Sequence, residues 1–198
     1  GSTGSLIVNH KDINKIAFTG STQVGKLIQK SLAGRDVGLT LELGGKAANI
    51  VYEDAAIDQA VEGVVNGIFF NQGHVCCAGS RLLLQESIHD QFVKKLEKRM
   101  QSLRVGNPLD KNTDIGAINS KEQLDKITSL VNEGVEDGGE LFQTQCDLPG
   151  NGFWFRPSLF TNVQPSYSIA REEIFGPVLT TLTFRTPEEA VEIANNTE

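Results

Sequence analysis

Cysteine is scarce in this sequence: there are three in 198 residues, an odd number, and two of them are adjacent as Cys76-Cys77. No framework spacing joins them, which excludes a disulfide-stapled secreted scaffold and points to a reducing compartment, the cytoplasm. Long apolar runs are also lacking. The longest, such as Ile68-Phe69-Phe70 and Leu82-Leu83-Leu84, fall far short of the ~20 residues a bilayer-crossing helix needs, so no membrane span is expected. There is no basic excess either. The net charge is -7, and no stripe of Lys and Arg with interleaved aromatics reverses that sign, so nucleic acid is not an expected partner. The opening Gly1-Ser2-Thr3-Gly4-Ser5 has no basic segment leading into a cleavable apolar core, and it reads as the cut end of a longer chain. Proline is sparse at 6 against 20 glycines, and with 39% hydrophobic and 22% charged residues the balance is that of a folding, globular chain. Its length suffices for one buried domain, or for one domain carrying an incomplete flap of a neighbour.

What is present is an alternation of strand-like and helix-like segments. Residues 15–19 read as a buried strand. Gly20-Ser21 then opens a helix with Val24, Leu27, Ile28 and Leu32 at helical spacing, and Gly34 ends it. Strands are expected at 39–43 and 48–52, then a helix over 58–70 with Ala60, Val61, Val64, Val65 and Ile68 on one stripe. A loop over 71–80 leads to a strand at 81–85 and an amphipathic helix at 88–103. Further on come a helix near 120–132, a strand at 140–143, extended runs at 153–163 (interrupted by Pro157) and 178–184, and a closing helix at 187–195 capped by Thr186. This order predicts an α/β fold: an open, mostly parallel twisted sheet with helices on both faces, whose ligand site lies beyond the carboxyl ends of the strands.

Four loops carry residues able to do chemistry. Gly20-Ser21-Thr22-Gln23-Val24-Gly25-Lys26 sits where a strand turns into a helix, where free amides suit a phosphate, although taken alone the same residues read first as a turn and an N-cap. Its spacing also resembles a nucleotide-triphosphate loop, but Leu27 stands where that loop needs a hydroxyl for magnesium. Leu41-Glu42-Leu43-Gly44-Gly45-Lys46 puts a carboxylate between two apolar residues at a strand end, where desolvation would raise its pKa towards that of a base working near neutrality. Residues 69–81 place His74, Cys76 and Cys77 in a loop rich in small residues. A thiolate nucleophile and a pair of small core hydrophobes are both open readings there, while a tetrahedral metal centre is not supported, because three such ligands are too crowded and nothing distant completes them. Glu172-Glu173-Ile174-Phe175-Gly176-Pro177 pairs carboxylates with an aromatic ring, a group able to hold ribose hydroxyls and brace a nicotinamide.

In this order the four motifs, Gly-Ser-Thr-x-x-Gly, Leu-Glu-Leu-Gly-Gly-Lys, Asn-Gln-Gly-x-x-Cys and Glu-Glu-Ile-Phe-Gly-Pro, resemble the aldehyde dehydrogenase superfamily from end to end. The stretches around residues 81–87 and 97–100 are most similar to family 16, whose members carry two dehydrogenase-like regions. The resemblance implies that Cys76 is the nucleophile and Glu42 the general base. It implies that Gly20, Ser21, Gly25, Leu43, Gly44, Glu173 and Phe175 contact NAD or NADP, and that Cys77 is a bystander. Residues 1–43 would then be the end of the NAD(P)-binding domain and residues 44–198 an incomplete catalytic domain, in a homo-oligomeric parent acting on a small-molecule aldehyde. His74 stands where relatives usually have Gln. The oxyanion-hole asparagine and the adenosine-binding lysine fall outside these residues, so the isolated chain is expected to be inactive and to bind cofactor poorly. A dehydrogenase-like scaffold without catalysis and, less well matched, a P-loop-like NTPase are the alternatives.

Overall fold

The computed structural model describes residues 1–197, which fall into two compact units, Gly1–Gly45 and a second that begins at Lys46. In the first, β1 (Lys15–Thr19) pairs in parallel with β2 (Gly38–Glu42), and α2 (Thr22–Leu32) connects them. Gly25, Ile28 and Leu32 are the inward face of α2, while Val24 and Leu27, expected on the same stripe, are exposed. Ser21 caps this helix, its hydroxyl accepting from the Val24 amide at 3.3 Å. Helix α1 (Ser2–Asn9), where only a cut end was expected, buries no side chain; the Arg35 guanidinium ties off its last turn by donating to the carbonyls of Val8 and His10 at 2.6 and 2.9 Å.

The second unit is built on a five-stranded sheet. Its strands are β3 (Ala48–Val51), β4 (Arg81–Gln85), β5 (Glu140–Gln143), β6 (Ser158–Thr161) and β7 (Val178–Phe184), in the spatial order β3-β4-β7-β6-β5. All pairings are parallel except β5 with β6. Pleating sends alternate residues to opposite faces, and the helices divide accordingly. Leu82, Leu84, Leu159 and Leu179 pack with α3 (Ile57–Phe69) and α4 (His89–Met100). Phe160 and Val178 meet α5 (Lys121–Glu136) and the short α6 (Ser168–Arg171), and Leu83, Leu182 and Phe184 meet α7 (Pro187–Asn195). Helices therefore cover both faces of a mostly parallel sheet, as the alternation of segments predicted. No helix among the described residues is long and apolar enough to cross a membrane.

Candidate active site

In parallel strands lying side by side, the loops that enter at their amino ends emerge at one edge of the sheet. Here those loops carry the thiols, the Glu173-Phe175 pair and Lys46. The thiol loop precedes β4, the Glu173-Phe175 loop precedes β7, and Lys46 lies just before β3. The general rule for open α/β sheets points to the carboxyl ends; in the second unit the order helix, loop, strand puts the thiol loop at the amino end of β4 instead. Short main-chain bonds stitch this edge together. The Arg81 amide donates to Ala47 O at 3.1 Å, and Thr180 N donates to Ser80 O at 3.0 Å.

Helix α3 ends in a tight turn in which Asn71, Gln72 and Gly73 all have positive φ, at 49°, 46° and 75°. Gly73 is required there, because a Cβ would stand 2.1 Å from Gly176 O. Polar side chains hold this unusual path: Gln72 Oε1 accepts from Gly116 N at 3.1 Å, and Asn71 Nδ2 donates to His74 O at 3.1 Å. The chain then turns over 75–78, closed by Ala78 N donating to Val75 O at 3.0 Å, with Cys76 and Cys77 at its two corners, both free and exposed. They are not core thiols.

The facing loop is held by α5. Gln123 Nε2 donates to the carbonyls of Ile174 and Phe175 at 2.9 and 3.0 Å, and Lys126 Nζ donates to Glu173 O at 2.7 Å. Phe175 has φ +55°, a strained conformation for a bulky residue, and its half-buried ring stacks on His74 with centroids 5.2 Å apart and planes 4° from parallel. The structure thus brings the Cys76 loop together with Phe175. In the first unit it brings Gly20 onto Glu42, amide to carbonyl at 3.0 Å, and Gly25 so close to Leu43 that a Cβ would lie 2.6 Å from Leu43 Cδ2. Ser21 spends its hydroxyl on the cap, Gly44 is half-buried, and the Glu42 side chain is exposed at the strand end rather than walled in by Leu41 and Leu43.

Sequence reasoning quoted Lys46 but gave it no role. It is buried at 6% exposure, and Nζ has no hydrogen-bond partner among the described residues. Arg81, also buried, donates to Ile193 O and Ala194 O at the carboxyl end of α7 and to Lys46 O, but its Nε has no partner among the described residues. Burial, then the nearby Arg81 charge, push the Lys46 ammonium down from 10.5 to about 7, against a smaller pull upward from Glu173. The unfolded chain keeps this proton up to about 10.5 and the folded chain releases it around 7, so stability climbs as pH rises between those values and the full cost is borne below 7. Lys46→Met should therefore stabilise the 198-residue chain at pH 6 by about 1–4 kcal/mol, a gain that shrinks towards pH 10, read from urea unfolding across pH. Destabilisation at pH 6 would show that the ammonium is compensated.

Among the described residues no group of three or more His, Cys, Asp or Glu is placed to hold a metal ion. For a dinucleotide the residues present do fit part of the demand: a half-buried carboxylate and a partly open aromatic ring share one anchored loop, at Glu173 and Phe175.

The aldehyde dehydrogenase family pattern matches residues 1–198. Retinal dehydrogenase 2 of Taeniopygia guttata is 47% identical over 197 residues, which are 98% of this chain and 38% of that protein. The Homo sapiens protein of that name is 46% identical over 199 residues, 100% of this chain and 38% of its own length. Among solved structures, the NAD-dependent aldehyde dehydrogenase from Sinorhizobium meliloti superposes with a TM-score of 0.93 at 40% identity, covering 98% of this chain and 39% of that one. The NAD+ complex of the Bacillus cereus aldehyde dehydrogenase gives 0.93 at 38% identity, over 98% and 40%. The chain therefore spans less than half the length of these relatives. With its full length matched and its fold shared, the chain belongs to the aldehyde dehydrogenase family.

Proposed function

We propose that the protein to which these residues belong oxidises aldehydes to carboxylic acids with NAD or NADP through a thioester on Cys76. The observation that carries this reading is the exposed Cys76 at the corner of a turn, on the same sheet edge as the Glu173-Phe175 loop, in a chain of this family. Residues 1–43 would close the NAD(P)-binding domain and residues 44–198 would form most of the catalytic domain.

The Cys76 thiolate adds to the aldehyde carbon, and the carbonyl oxygen takes up negative charge near the Cys76 amide. A bound NAD(P)+ would supply the hydride acceptor, and as its hydride left, the adduct on Cys76 would become a thioester. Glu42 removes a proton from the water that attacks the thioester, and the acid leaves as Cys76 is released. Glu173 and Phe175 would hold the nicotinamide-ribose portion of the cofactor, and Gly20, Ser21, Gly25, Leu43 and Gly44 would take the pyrophosphate side, where the amino end of α2 offers free amides. The free thiols suit a reducing cytoplasm, and a homo-oligomer is the assembly expected of the whole protein.

The test is aldehyde-dependent NAD(P)H formation by the complete protein over a panel of aliphatic, aromatic and polyene aldehydes, with alkylation rates of its thiols followed by mass spectrometry. Turnover together with Cys76 alkylated faster than Cys146 is expected. No turnover on any member, with Cys76 no faster than Cys146, would make the protein a dehydrogenase-like scaffold.

A further inference from the structure

The contact between His74 and Phe175 is not explained by holding the backbone, because both main chains are already pinned. His74 exchanges hydrogen bonds with Asn71, its amide donating to Asn71 O at 2.9 Å and its carbonyl accepting from Asn71 Nδ2 at 3.1 Å. Phe175 O accepts from Gln123. What these bonds leave free is the direction of the Phe175 ring, on a backbone already forced to φ +55°. His74 meets that ring face to face, 4° from parallel. Its Nε2 is buried and has no hydrogen-bond partner among the described residues, so that nitrogen does not account for the imidazole being there. Burial also pushes the imidazole below its ordinary pKa, so the ring is uncharged at neutral pH and presents an apolar plane. A planar group laid on one face of Phe175 takes that face from any ligand, while the ring as a whole stays only partly buried.

We propose that His74 is a positioning residue which, by covering one face of Phe175, orients that ring as the surface on which the nicotinamide rests. The inference builds on the dehydrogenase reading, in which Phe175 meets the cofactor. It assigns the ring of His74, not its hydrogen-bonding capacity, the task of fixing cofactor geometry. An aromatic pair of this kind is worth about 0.5–1.5 kcal/mol, or roughly two- to tenfold in affinity.

In the complete protein, His74→Ala should therefore raise the NAD(P)+ KM and the equilibrium Kd by about three- to tenfold, with the aldehyde KM and the Cys76 alkylation rate within about twofold of the parent. His74→Phe, which keeps a flat apolar ring and discards both nitrogens, should hold the cofactor KM and Kd within about twofold. Should His74→Ala fail to fold, the comparison passes to His74→Leu, of similar bulk but without a ring face, which should weaken cofactor binding where His74→Phe does not. An unchanged cofactor Kd in His74→Ala, or a His74→Phe variant as impaired as the alanine or leucine variant, would overturn the proposal. Cofactor Kd is measured without aldehyde, so the outcomes separate: a parent that binds NAD(P)+ through the stack but turns over no aldehyde sinks the dehydrogenase reading alone, and a parent that turns over with a Kd indifferent to residue 74 sinks this inference alone.

Discussion

Replacing Cys76 by alanine should reduce aldehyde-dependent NAD(P)H formation by the complete protein on the order of 10⁵-fold or more, the scale on which loss of a covalent nucleophile is felt. The size follows from the chemistry: without a thiolate there is no tetrahedral adduct, and an aldehyde carbon bearing no added electron pair does not release hydride at a useful rate. Cys77 shares the same turn and the same exposure, so Cys77→Ser is the necessary comparison and should keep turnover within about threefold. Glu42→Gln should behave differently from both. Hydride leaves before water is needed, so this variant should still release one equivalent of NAD(P)H per site in a rapid burst and then stall as the thioester. A stopped-flow trace with a burst and almost no steady state is the expected signature, and mass spectrometry should find the acyl group on Cys76. Full steady-state turnover by Cys76→Ala would place the nucleophile elsewhere, and a Glu42→Gln variant without a burst would assign Glu42 a role before hydride transfer.

The parts of this structure legible in its sequence are those specified by neighbours in the chain. Strand β1 running into the Ser21-capped α2, the stripe of α3, and α7 opening on Thr186-Pro187 all carry their own start signals, and they stand where periodicity put them. The failures have distant causes. Helix α1 has no fully buried side chain and is held by Val8 against the Ile16, Ile28 and Leu32 cluster and by Arg35, residues no local pattern connects to it. The extended run at 153–163 shrinks to Ser158–Thr161, because Pro157 has no amide to give a ladder and pairing extends over only those four residues with β5 and the first three of them with β7. At the site, residue types were readable and neighbourhoods were not. Cys76, Glu173 and Phe175 were picked out by kind and order, but the stack of Phe175 on His74 exists because β4 and β7 are adjacent although far apart in sequence. Lys46 and the pair Gln123 and Lys126 were passed over for the same reason. The one available signal was that Gln123 and Lys126 stand three apart, on one face of a helix.

Gly73→Ala should cost the chain about 3–5 kcal/mol, against a gain of about 0.5–1 kcal/mol for Gly67→Ala a few residues earlier. Both are single added methyl groups, and geometry decides the difference. Gly67 lies in α3 with open space where its Cβ would go, so alanine there only improves helix propensity. Gly73 has φ +75°, which strains any side chain, and its new methyl would meet Gly176 O at 2.1 Å and Gly176 C at 2.5 Å. Those are main-chain atoms and cannot swing aside. Gly176 is itself hemmed in, since its own Cβ direction runs into Ile127 Cδ1 at 2.6 Å, so the turn before β7 cannot simply retreat towards α5. Relief must come from the thiol loop moving off the Phe175 loop. Two measurements should therefore move together in Gly73→Ala: the urea midpoint falls, and the Cys76 alkylation rate departs from that of the parent as its turn loses support. Trimming Ile127 to valine should recover little of the loss, because the obstruction at Gly73 is backbone against backbone; a recovery of half or more would locate the strain in side-chain packing instead.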